Sequence, residues 1–293
     1  MLENAHARKI LKNKNLRRLL LYSLLGSVVL SHSAYAYKNN IPQRIVSLSP
    51  SATEDLFAIG AAHQVVAVDD NSNFPVGVPT TKLSSFNPNT EAIAKYRPDL
   101  VVIQVNSTKG TVVAKQLRAL KIKVYVEKTP IDLSGLYSEI SDLGALTGHT
   151  KESTVLVRKI KAERLKAISR IKKSNKSFYH ELDNTLFSAT SSTFIGKVYA
   201  DFGLKNIADA ASKADDGGYP QLQNEYLIAS NPNIIFLADA QYGEVANKVA
   251  LRPGWSEISA VKTMKIISLP ADISSRWGPR IIEFYRIVAN ALS

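Results

Sequence analysis

After residue 36 the chain offers three histidines, His63, His149 and His180, and it has no cysteine anywhere. No two of these histidines stand at a metal-ligand spacing, no Gly-x-Ser-x-Gly turn presents a nucleophile, and no glycine-rich phosphate loop follows a strand-like run. Hydrolase, nucleotide and cysteine-ligated cluster chemistry therefore find little support. What does recur is a pair of glutamates. Asn89-Thr-Glu91-Ala-Ile-Ala-Lys-Tyr-Arg-Pro98-Asp-Leu-Val-Val-Ile103 returns as Gln223-Asn-Glu225-Tyr-Leu-Ile-Ala-Ser-Asn-Pro232-Asn-Ile-Ile-Phe-Leu237, with seven residues from glutamate to proline in each copy and an offset of 134 throughout. Each copy predicts a short helix with an acid near its start, stopped by X-Pro and followed by a strand apolar on both faces. The helix dipole explains one such glutamate. Matched placement in two copies is harder to dismiss.

A second group of residues suits recognition of a bulky, partly apolar ligand. Phe86 lies between Ser85 and Asn87, Tyr219 follows two glycines, and Tyr242 and Arg276-Trp277 stand in segments with turn character. Ser49, Pro50 and Ser51 follow the first strand-like run. Aromatic faces with a few directed polar groups are the usual lining of a ligand cleft. Arg276 could pair with an anionic group of the ligand, and the turn-like setting of Trp277 gives little reason for a core tryptophan. No intrinsic cofactor and no protein-held metal are expected.

These residues need a scaffold, and the pattern predicts an α/β fold of two lobes. Strands are expected at 44–48, 65–68, 100–103 and 124–127, then at 177–181, 234–237 and 266–269, with helices between them, which argues for mainly parallel sheets. Residues 150–173 contain neither glycine nor proline and place Val157, Ile160, Leu165, Ile168 and Ile171 at helical spacing. One long α-helix should thus connect a lobe of residues 37–149 to a lobe of residues 174–293, and restrict how far they open. In parallel sheets ligands sit beyond the carboxyl ends of the strands, which puts segments 49–51, 104–108, 184–192, 239–242 and 272–277 around an interlobe cleft.

The formal charge of +12 does not describe either lobe. Residues 151–173 carry nine basic and two acidic side chains, and residues 1–36 carry six and one, leaving both lobes close to neutral. A solvated helix face accounts for the first excess, and no nucleic-acid partner is expected. The second belongs to a leader: a basic start, an apolar run from Leu19 to Leu30, and Ala34-Tyr35-Ala36 as a small-x-small cleavage site. Residues 1–36 are accordingly expected to be a signal peptide, or an anchor if uncleaved, and the protein to be exported to the periplasm or held on the outer face of the cytoplasmic membrane.

In order and spacing, Arg44-Ile-Val-Ser-Leu-Ser-Pro50-Ser-Ala-Thr-Glu54, the Glu91 and Glu225 segments, Arg252-Pro-Gly-Trp255 and Gly278-Pro-Arg280-Ile resemble the class III, helical-backbone periplasmic binding proteins of ABC importers. That family takes up vitamin B12, ferric siderophores and haem. The resemblance implies two Rossmann-like lobes bridged by one helix, and a monomeric, non-enzymatic receptor delivering a metal chelate to an ABC permease. It also gives Glu91 and Glu225 a role, docking on permease arginines at two separated points. Phe86 stands where cobalamin binders of the family tend to place tryptophan. A two-lobed cofactor enzyme and a receptor for a metal-free organic solute are the alternatives.

Overall fold

The structure, a computed structural model, describes residues 41–104 and 108–293. The leader expected at residues 1–36 lies outside the described residues. Strand β1 (Ile45–Leu48) is buried along its whole length and sits at the centre of a parallel sheet. With β2 (Val65–Asp69), β3 (Thr80–Leu83), β4 (Leu100–Gln104) and β5 (Lys123–Glu127) the order is β3-β2-β1-β4-β5. Helices α1 (Pro50–Ala58), α2 (Thr90–Ala94) and α3 (Thr108–Ala119) lie in crossovers of this parallel sheet, and α4 (Leu133–Thr147) follows its last strand. Beyond helix α5 (Thr150–Ser169) a second parallel sheet runs β7-β6-β8-β9, from β6 (Ser177–Glu181), β7 (Lys205–Asn206), β8 (Ile234–Leu237) and β9 (Ile266–Ser268). Helices α6 (Phe194–Asp201), α7 (Asn224–Ser230), α8 (Ala246–Ala250), α9 (Ser259–Lys262), α10 (Ala271–Ser275) and α11 (Ile281–Leu292) complete this half.

The repeated segments occupy equivalent places in the two sheets, and they do so by the same local devices. Helices α2 and α7 are followed by Arg97 (φ 49°) and Asn231 (φ 43°), both left-handed, immediately before the prolines. Asp99 then accepts from the backbone N–H groups of Gln43 and Arg44 at 2.8 and 3.0 Å, and Asn233, its counterpart, from that of Ser177 at 2.9 Å. Each side chain aligns the start of its own strand, β4 or β8, with the start of the neighbouring central strand. The all-apolar strands that follow are buried on both faces.

Three differences from the sequence expectation have physical causes. Helix α5 stops at Ser169 rather than 173, with Arg170 as its cap, and spans about 30 Å at 1.5 Å per residue. Its stripe is also narrower: Ile160 is buried and Val157, Ile168 and Ile171 pack on the core with Leu156, but Leu165 faces solvent. Finally, β3, β7 and α10 have weak signals. β3 is a polar edge strand, β7 has two residues, and α10 is a five-residue turn after Pro270.

The connector is not the sole tie between the halves. After α10 the chain runs back over the first sheet's side of the molecule, where Arg280 makes a two-point ion pair with Glu54 of α1 and lies 4.0 Å over the Phe74 ring. Its Nε bond to Glu54 is 2.8 Å long.

Candidate functional site

The first turn of α1 is built for exposure of its neighbours to a cavity. Ser49, extended, caps the helix by accepting from Ala52 N–H at 3.2 Å, and Pro50 takes the first helical position, where its missing N–H costs nothing. This turn follows β1 directly, so Ser49, Pro50 and Ser51 lie beyond the carboxyl end of a central strand. They line a cavity of about 430 Å³ with Asn71, Ser85, Phe86 and Gln104 from the first half. The second half contributes Tyr242, Asp272, Ser275, Arg276 and Trp277. Phe86 and Tyr242 are 78% and 79% exposed, so both present free ring surface at the mouth.

Seven of the eight ligand-contact candidates named from sequence thus meet at one cavity, and Tyr219 is not part of its lining. The reason is the ribbon that carries it. Residues 188–190 pair with residues 218–220 through Ser188 N–H to Pro220 O and Thr190 N–H to Gly218 O, both 2.9 Å. That keeps the 184–192 loop and Tyr219 together in the second lobe, away from the lining. Asn71 is a lining residue that the sequence reading missed. Its signal was available, since it lies just past the carboxyl end of β2.

Arg276 is not the free cation that the sequence suggested. Its guanidinium bonds Asn73 Oδ1 at 2.8 Å, Asn71 O at 3.0 Å, Asp272 at 2.9 Å and Glu54 at 3.3 Å. These partners consume its planar fork and neutralise its charge. Trp277 also differs from expectation. It packs partly buried against the main core while one side lines the cavity, and its indole N–H donates to Glu127 Oε1 at 2.7 Å. Among the described lining residues, then, the one cation is already paired, and the other polar groups are hydroxyls, amides and the Asp272 carboxylate.

Behind this wall lie carboxyls that no cation pairs with among the described residues. Asp55, Glu127 and Glu139 are at most 4% exposed. Burial first, then mutual repulsion, pushes Asp55 and Glu139 well above the usual carboxylate range, and burial pushes Glu127 the same way. Neither Glu139 oxygen has a conventional donor in reach, which fits a carboxyl that carries its own proton. No group of three or more His, Cys, Asp or Glu among the described residues is arranged to hold a metal ion.

The docking candidates are elsewhere. Glu91 and Glu225 are exposed in the first turns of α2 and α7, and neither lines the cavity.

Comparison with known proteins gives this geometry its context. Residues 45–273 match the family described as periplasmic binding protein. An ABC transporter substrate-binding lipoprotein of Bacillus subtilis, YvrC, itself uncharacterized, is 32% identical over 261 residues, covering 86% of this chain and 80% of that one. A cobalamin-binding protein of Halobacterium salinarum is 27% identical over 85% of this chain and 69% of its own length. Among solved structures, the periplasmic haem-binding protein HutB of Vibrio cholerae superposes with a TM-score of 0.74 at 19% identity, covering 85% of this chain and 98% of its own, a likeness of fold. The family match takes in the strands of both sheets, and the family consists of solute receptors, not enzymes: this chain belongs to the periplasmic binding proteins.

Proposed function

We propose that the chain is an extracytoplasmic receptor of an ABC importer that captures a neutral, amide-rich metal chelate of the cobalamin class and delivers it to the permease. The observation that carries this choice is the charge of the cavity. A haem or a catecholate siderophore brings carboxylates or a net negative charge that must find cations on desolvation, whereas both terminal nitrogens of the Arg276 guanidinium are already held by protein partners. Aromatic faces from Phe86, Tyr242 and Trp277, with Asn71, Gln104 and serine hydroxyls between them, suit a flat ligand with an uncharged polar rim. Phe86 supplies the ring surface where relatives of this specificity tend to carry tryptophan.

The same proposal assigns residues 1–36 as the exported leader, residues 37–149 and 174–293 as the lobes, and Glu91 and Glu225 as the two permease contacts. Their support is the matched exposure of both carboxylates on equivalent helices. The test is a calorimetric titration of the purified protein with cyanocobalamin, haemin, a ferric siderophore and metal-free organic solutes. Cyanocobalamin is expected to bind at micromolar concentration or tighter, about −8 kcal/mol or better, and haemin not to saturate. Haemin binding without cyanocobalamin binding would reverse the choice of ligand. In reconstituted vesicles Glu91→Ala with Glu225→Ala should abolish uptake and leave the titration unchanged.

A further inference from the structure

We infer that Glu127 is a positioning residue of this cavity, a buried carboxyl that sets the ligand-facing wall from behind by holding the Trp277 indole. This rests on the cavity being the ligand site. Glu127 is the last residue of β5, on the first sheet, and is 3% exposed. Trp277 arrives 150 residues later, after α10, and the 2.7 Å bond from its Nε1 to Glu127 Oε1 ties these two distant stretches together. A residue of the first sheet therefore holds a cavity-lining residue contributed by the second half.

The surroundings show why the bond is needed. Arg276 is extended (φ −108°, ψ 126°), so Trp277 stands outside any helix that could fix its ring. Gly278 follows, and a Cβ there would come 3.3 Å from Glu54 Oε2, so the strap passes tightly against α1 and cannot shift toward it. A partly buried indole N–H requires an acceptor, and the orientation of that acceptor decides which ring face meets the ligand. Glu139, neutral because it is buried among acids, places no competing cation or charge beside Glu127.

The chain has two tryptophans, and Trp255 is fully buried with its own N–H on Asn224 at 2.7 Å, so emission changes on altering Glu127 report Trp277. Glu127→Gln keeps an acceptor and should leave ligand-free emission, acrylamide quenching and cyanocobalamin affinity within about twofold of the parent. Glu127→Leu should shift emission to the red, expose the indole to acrylamide and raise the cyanocobalamin dissociation constant about tenfold, the size of one lost buried hydrogen bond. Trp277→Phe, which keeps a ring but lacks the N–H, should lose a similar factor, and adding Glu127→Leu to it should cost no more. Unchanged emission and quenching in a folded Glu127→Leu protein overturns the inference, as does parental affinity in Trp277→Phe. Should Glu127→Leu not fold, the phenylalanine variant decides. A parent that ignores cyanocobalamin overturns the ligand assignment alone, because the fluorescence measurements need no ligand.

Discussion

Glu127 in the first lobe and Glu181 in the second each end a parallel strand, and each is almost fully buried, yet their surroundings are opposite. Glu181 receives the Arg252 guanidinium at two points, 2.6 and 2.7 Å, and the same arginine bonds Glu244 at 2.8 Å and lies 4.6 Å over the Trp255 ring. Burial lifts Glu181 to about 7, and this bidentate contact holds it from rising further. Glu127 has Glu139 and Asp55 for company, and among the described residues no arginine pairs with it. Around Glu127 burial thus favours the protonated acids, whereas Glu181 of the second lobe, like Glu54 on α1, is held by arginine. The shared frame, with its matched prolines, left-handed caps and strand clamps, is indifferent to which solution fills the interior. The neutral cluster lies behind the cavity, whose own lining cation, Arg276, is paired with Glu54 and Asp272.

The largest effect should come from breaking the paired side. Arg252→Ala leaves Glu181 buried beside Glu244 and Asp239 without a cation, and removal of one partner of a buried pair costs about 3–5 kcal/mol. Urea denaturation of the parent and variant measures it. A loss below about 1 kcal/mol would mean that Glu181 simply takes up a proton, as its counterparts in the first lobe do.

The neutral side should respond with the opposite sign. Glu139 keeps its proton in the folded chain to well above its ordinary value of 4.5, whereas the unfolded chain releases it near that value. Above this pH the folded state binds more protons, so stability falls as pH rises, by up to about 1.4 kcal/mol per unit for each such group. The contribution is fully present below the unfolded pKa. Glu139→Gln imitates the neutral form at every pH, so it should flatten the decline between about pH 5 and pH 8 and leave the variant more stable than the parent at the upper end. Parallel curves for the two proteins would show that Glu139 is ionised at neutral pH.

The sequence disclosed the two-sheet frame because that frame rests on short-range signals. Apolar runs made β4 and β8, Ser49-Pro50 made the start of α1, and the 134-residue offset marked equivalent strands. The cavity was legible in part for the same reason: residues just past strand ends are known once the strands are known. What stayed hidden depends on pairings distant in sequence. Nothing local tells that Arg276 meets Glu54, 222 residues away, or that Glu127 accepts from Trp277. Tyr219 was misplaced because its loop pairs with residues 188–190, a choice that spacing alone does not fix. Leu165 was put on the wrong face of α5 because the stripe of that helix was drawn one step too wide.

The smallest effect tests whether the two copies are equivalent in detail. Arg97 and Asn231 both hold left-handed geometry before proline, but at unequal cost, since asparagine tolerates this conformation and arginine, with its longer side chain, does not. Arg97→Gly should therefore relieve strain and raise stability by about 0.5–1 kcal/mol. Asn231 has a second task, for its Oδ1 accepts from Ser259 N–H at 2.7 Å, at the start of α9. Asn231→Gly keeps the backbone geometry and loses that bond, so it should lower stability by about 1 kcal/mol. Opposite signs from one substitution at matched positions are the expected outcome in denaturation experiments. Equal gains would show that the Ser259 contact contributes nothing and that the copies differ in sequence alone.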